Sequence, residues 1–176
     1  EWEKSAEVLS DAAATLQQAG ADYIVICTNT MHKVAPQIQS RISIPLIHIA
    51  DATADALENA GVKTVALLGT KYTMTQDFYK NKLTDRGIRV IVPDEPDIET
   101  VNRVIYDELC RGIISPDSRH AYTEIIGKLK ANGARGVILG CTEIGLLIHQ
   151  EDSPLPVFDT TVIHARKAAL LSVRCP

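Results

Sequence analysis

The chain has 176 residues, 45% of them hydrophobic and 23% charged, with a net charge of −4 at pH 7. That length suits one domain or two small ones, and the composition is that of a globular chain without low-complexity tracts. There is no basic patch for nucleic acid, no apolar run of bilayer-spanning length and no leader-peptide pattern, so neither nucleic acid nor membrane is expected as a partner.

In chain order, EWEKSAEVLSDAAATLQQAG at 1–20 reads as a helix with Val8, Ala12 and Leu16 on one face. It lacks a clear N-cap, which suggests a fragment that begins after an earlier element. A strand is expected at 23–27, a helix from about 30 to 41 and a strand at 45–49. ADATADALENAG at 50–61 reads as a helix starting near Asp51 or Thr53 and closed by Gly61. TVALLG at 64–69 is a buried strand, followed by a helix at about 73–86 and a strand at 88–92. Helices are expected at about 97–111 and 117–132, then a strand in GVILGC, a short helix in EIGLLIH, a strand in PVFDT and a helix at 161–172. SVRCP at the end breaks that helix and reads as an unfolded end.

Short apolar runs alternating with helices imply parallel strands covered on both faces, an α/β architecture. One segment occurs twice: AGADYIVICTNT at 19–30 and NGARGVILGCTE at 132–143. Each is followed by a Pro-led apolar run, IPLIHIADAT at 44–53 and LPVFDTTVIH at 155–164. A degenerate repeat of a whole unit predicts two pseudo-symmetric lobes with a site between them. The first lobe is expected to hold residues 1–50 plus 156–176, and the second 51–155.

Ligands of open parallel sheets bind beyond the carboxyl ends of the strands. Cys27, Gly69–Thr70, Cys141 and Asp159–Thr160 all fall at such ends. A lone strand-end cysteine counts as a small hydrophobe, since cysteine is among the most buried residue types. A matched pair in a repeat points to chemistry instead. Both thiols are expected just before a helix, whose N-terminus would favour the thiolate. Cys110 and Cys175 lack that setting and are read as structural or incidental. The loops after the strands add Thr28, Asn29, Thr30, Thr70, Thr73, Thr142 and Glu143 as hydrogen-bonding groups suited to a carboxylate ligand. Thr30 and Thr73 equally suit ordinary helix caps.

Four cysteines at these positions do not form a secreted disulfide framework, so reduced thiols and a cytoplasmic location are expected. His32, His48, His120, His149 and His164 show no ligand spacing with the cysteines, so no metal is expected. Neither a dinucleotide fingerprint nor a Walker-type loop is present.

CTNTMHKVAPQI at 27–38, PLIHIADAT at 45–53, VALLGTKYTM at 65–74 and GVILGCTEIGLLI at 136–148 resemble the aspartate/glutamate racemase family. The resemblance implies a cofactor-independent amino-acid racemase with a cysteine from each of two α/β lobes. It casts Cys27 and Cys141 as the acid/base pair at Cα, with an amino acid or dicarboxylate as the small-molecule substrate. Asn29, Thr30, Thr70, Thr73 and Thr142 would hold the α-carboxylate and α-amine, with Thr28 and Glu143 beside them. Arg111 stands where a basic residue would meet an acidic side chain, though a solvated helix-end arginine reads equally well.

Such proteins open with a strand and a Gly-Gly-Met-Ser-like loop that this sequence lacks. The first lobe is therefore expected to be incomplete, with the 23–27 strand unpaired on one edge. An unpaired apolar edge or helix face would support a homodimer. Maleate isomerases, hydantoin racemases and arylmalonate decarboxylases share the architecture and stay open as alternatives, as does an inactive ligand-binding paralogue.

Overall fold

The computed structural model describes residues 1–173; of the end at 172–176 expected to be unfolded, Ser172 is the last residue of the closing helix, and Cys175 with the rest of 174–176 lies outside the described residues. The chain forms two parallel sheets flanked by helices, the α/β fold that the alternating runs predict. The first sheet holds β1 (Ile24–Val25) and β2 (Leu46–Ile47), with Ile24 opposite Leu46. Helix α1 (Trp2–Gln18) and the short α2 (Ala35–Ser40) cover it. Helix α1 buries Ala6, Ser10 and Ala13, while Val8 and Leu16 are exposed. The small residues at i, i+4 and i+7 allow close approach to the sheet, and the bulkier stripe at 8, 12 and 16 is turned aside.

The second sheet has the order β4-β3-β5-β6, with β3 at Thr64–Gly69, β4 at Arg89–Ile91, β5 at Val137–Gly140 and β6 at Val157–Asp159. Alternation along β3 divides the core in two. Val65 and Leu67 pack with α3 (Ile49–Asn59) and α5 (Asp77–Thr84), and Ala66 and Leu68 pack with α6 (Glu95–Asp107) and α7 (Pro116–Ala131). Both faces are covered, which is why the run is apolar without a break.

Two expectations change here. The helix expected at about 73–86 is divided by Gln76, whose backbone is extended (φ −90°, ψ 158°), into α4 (Lys71–Thr75) and α5. Residues 157–159, expected in the first lobe, belong to the second sheet, where Ile138 pairs with Phe158. Their hydrogen bonds satisfy the open edge of β5. The closing helix α8 (Thr160–Ser172) bridges back to the first sheet, through Tyr23 Oη donating to Ala168 O at 3.0 Å and His164 Nε2 donating to Ile47 O at 2.7 Å. Among the described residues no helix is long and apolar enough to cross a membrane.

Candidate active site

The ends of β3 and β5 come together as two glycines, Gly69 opposite Gly140. A Cβ on Gly140 would stand 2.8 Å from Leu68 O, and one on Gly69 would stand 2.9 Å from Gly140 O. Only glycine allows this approach, and it brings the residues that follow, Thr70 and Cys141, to the same rim. Thr70 caps α4 by accepting from Thr73 N–H at 3.3 Å. From the first sheet, the turn after β1 delivers Cys27 to Thr30. Thr30 Oγ1 lies 3.1 Å from Thr70 Oγ1, so hydroxyls join the two sheets at the site.

A cavity of about 480 Å³ lies between these loops. Cys27, Thr28, Asn29 and Thr30 line one side, and Thr70, Cys141, Thr142 and Glu143 line the other. Two residues expected in the substrate site stand elsewhere. Thr73 is fully buried behind Thr70, with its Oγ1 3.2 Å from Thr70 Oγ1, and is absent from the lining. Arg111 ends the turn after α6 with its side chain 67% exposed and 3.7 Å from Asp107. The i, i+4 pairing turns it to the outer face, so solvated helix-end arginine is the correct reading.

Other lining residues were not expected at the site: Trp2, Tyr72, Ile105 and Tyr106, and Cys110, which was read as structural or incidental. Tyr72 sits inside a loop whose threonines drew the attention. Tyr106 lies at the end of α6 and Cys110 in the turn after it, far from any strand end, and nothing in their spacing distinguishes them. Cys110 is exposed, and it lines the cavity rather than the core.

The protonation pattern departs from the expectation of two acidic thiols. Burial first, and then the Glu143 carboxylate, push the Cys141 thiol well above the usual cysteine range. Cys141 is followed by a single 3-10 turn (Ile144–Leu146), too short to supply a helix dipole. Its Sγ donates to Glu143 Oε2 at 2.9 Å, and Thr142 Oγ1 donates to the same oxygen at 2.7 Å. Burial alone would raise Glu143, but these donors outweigh it and hold the carboxyl below its usual range. Cys141 is thus a thiol beside a carboxylate. On the other side Cys27 is exposed and also precedes a 3-10 turn (Thr30–Val34).

Asn29 is 3% exposed, and its Nδ2 donates to Thr160 Oγ1 at 3.0 Å. Thr160 Oγ1 spends its own proton on Leu139 O at 2.7 Å, so it can only accept from Asn29. The amide orientation follows, and Asn29 Oδ1 is left buried without a partner among the described residues. An unpaired buried acceptor is costly unless something supplies a donor, and an ammonium group is a donor with three protons. Thr160 was recognised from the sequence only as a strand-end residue.

The sequence pattern of the Asp/Glu/Hydantoin racemase family matches residues 1–168. A broad specificity amino-acid racemase of Bacillus subtilis is 25% identical over 164 residues, which are 91% of this chain and 69% of that protein. A crystal structure from Yersinia pestis, provisionally described as an Asp/Glu racemase, shares 54% identity at a TM-score of 0.93, covering 98% of this chain and 76% of that one. An aspartate racemase homologue from Pyrococcus horikoshii superposes at a TM-score of 0.89 with 39% identity, covering 99% of this chain and 76% of that one.

Proposed function

Because the chain belongs to the Asp/Glu/hydantoin racemase family, we propose that it racemises an amino acid of the aspartate/glutamate type, with Cys27 and Cys141 on opposite faces of Cα. The observation that carries this reading is that the two thiols reach one cavity from two different sheets. In one direction the Cys27 thiolate removes the Cα proton, and Cys141, already a thiol, returns a proton to the other face. In the opposite direction Cys141 must act as base, and Glu143 at 2.9 Å can take its proton first. The carbanion places charge on the substrate carboxylate, which hydroxyl and amide donors such as Thr30 and Thr70 would stabilise without a cofactor. Asn29 Oδ1 supports the same reading as an acceptor for the α-ammonium.

The test is Cα deuterium uptake by each enantiomer of aspartate and glutamate in D₂O, without added cofactor. Uncharged amino acids belong in the series, since Arg111 stands away from the cavity. Cys27→Ser and Cys141→Ser should each abolish racemisation. Racemisation that survives loss of either thiol would end the two-thiol mechanism, and dependence on one alone would favour a single-thiol reaction.

A further inference from the structure

Behind the Cys27 loop, outside the cavity lining, lies His32. It is 1% exposed, and its ring is held at both nitrogens by main chain. Ile49 N–H donates to Nε2 at 3.1 Å, and Nδ1 lies 2.7 Å from Thr28 O. An amide N–H can only donate and a carbonyl can only accept. The tautomer is therefore determined: Nδ1 carries the proton and Nε2 is bare. His32 N–H closes the same turn by donating to Asn29 O at 3.1 Å.

We propose that His32 is a positioning residue for the Cys27 half of the site: its imidazole ties the Thr28 carbonyl to the first turn of α3, and so sets where Cys27 and Asn29 stand. Of the two residues that follow Cys27, Thr28 is held by this ring and Asn29 by the main-chain N–H of His32. β1 contributes only two residues of strand before the turn, and the other side-chain ties, Asn29 to Thr160 and Thr30 to Thr70, lie beyond Thr28, so the ring is what holds the Thr28 carbonyl. The anchor is rigid because α3 is built into the core of the second sheet through Ile49, Ala50, Ala54 and Leu57. His32 thus transmits the position of one sheet's packing to the other sheet's catalytic loop.

The surroundings keep the bridge intact. His48 and His164 pack on the ring, with centroids 4.4 and 5.7 Å away. Lys33, Asp51 and Lys82 line the second cavity beside it. Burial, with His48 and His164 adding repulsion, lowers the His32 pKa to about 3, so Nε2 stays free to accept.

The proposal rests on the racemase reading, and three variants of the intact protein test it. Asn at position 32 returns an N–H at the Nδ1 position, toward Thr28. Gln reaches the Nε2 position, toward Ile49, and Phe serves neither. His32→Phe should lower kcat roughly 10- to 100-fold with KM changed less than about threefold, the effect of misplacing a reacting group by a fraction of an ångström to one ångström. His32→Asn should recover most of that loss and His32→Gln little, although both are expected to melt at similar temperatures. Equal activity of the Asn and Gln variants, or undiminished kcat in a folded Phe variant, overturns the proposal. A second readout does not depend on the reaction: the iodoacetamide alkylation rate of Cys27 by peptide mass spectrometry, with Cys110 as internal reference. If the wild type exchanges no Cα proton, the racemase reading fails, and alkylation alone then decides. A Cys27 rate changed severalfold by His32→Phe and recovered by Asn supports the tether, and an unchanged rate removes it.

Discussion

Glu143→Gln removes one charge from the site and little else. The amide fits the carboxylate's shape, but it no longer offers a charged acceptor to Cys141 Sγ at 2.9 Å and Thr142 Oγ1 at 2.7 Å. A hydrogen bond to a charged group contributes about 1.5–3 kcal/mol. The lower end of that range corresponds to about one pKa unit at 1.36 kcal/mol per unit. Losing the carboxylate should therefore lower the pH midpoint of Cys141 alkylation by about one unit, still above the ordinary range because burial, the larger cause, remains. Catalysis moves the opposite way. When Cys141 must act as base, no neighbour accepts its proton, and kcat/KM should fall about 10- to 100-fold, within the span of general acid–base contributions. Because two enantiomers are equal in free energy, the fall in kcat/KM must be the same in both directions. Asymmetry should instead appear in primary isotope effects measured with Cα-deuterated L and D substrates. The assay is coupled polarimetry for both directions plus pH-dependent alkylation of the same samples. A folded Glu143→Gln protein with kcat/KM within threefold of wild type and an unmoved alkylation midpoint would falsify the assignment of Glu143 as the proton acceptor.

Three further outcomes are expected. Gly140→Ala forces a methyl to within 2.8 Å of Leu68 O and 2.9 Å of Leu67 Cδ1. It should cost about 1–3 kcal/mol by overpacking, read by urea unfolding, and displace Cys141 enough to depress turnover further than stability. Thr160→Val leaves Asn29 Nδ2 without its acceptor and takes the hydroxyl donor from Leu139 O. It should cost about 2 kcal/mol in the same unfolding assay, and should raise KM because the Asn29 amide is released. Acidification should weaken the fold through the buried histidines. Burial, with neighbouring charge adding to it, lowers His32 to about 3 and His48 to about 4, and burial also lowers His164. The unfolded chain thus binds protons below about pH 6.5 that the folded one refuses. Stability is present above that pH and is lost as pH falls toward the folded values, at up to about 1.4 kcal/mol per unit for each such histidine. Urea midpoints at pH 7, 6 and 5 check this. His48→Gln should flatten the profile, and an equally steep profile in the variant would count against the histidines as the cause.

Much of the fold was legible because its signals are local. The apolar run at 64–69 is the central strand β3 to the residue, and its unbroken hydrophobicity comes from burial on both faces. Cys27 and Cys141 were identifiable as lining one cavity because a repeated strand-end pattern places equivalent residues equivalently. Eight of the ten expected site residues line one cavity for the same reason, each lying within five residues of the end of a strand. What failed were inferences about direction and environment. Arg111 lies near the site in sequence logic, yet its helix turn points it at Asp107 and solvent. Thr73 is one turn into α4 and therefore faces Thr70 from behind. Tyr106 and Cys110 enter from the end of α6 and the turn after it, across a chain separation over which spacing carries no information.

The amino-acid sequence by itself determined the alternation of strands and helices, the family and the strand-end placement of the two cysteines, all properties of nearest neighbours and of a repeated pattern. Only the tertiary structure decided the chemistry of the thiols. A helix-start argument treats Cys141 as acidic, but proton affinity is set by solvent exclusion and by the nearest charge. Burial together with the Glu143 carboxylate instead pushes the Cys141 thiol up. Those quantities exist only once distant segments pack together.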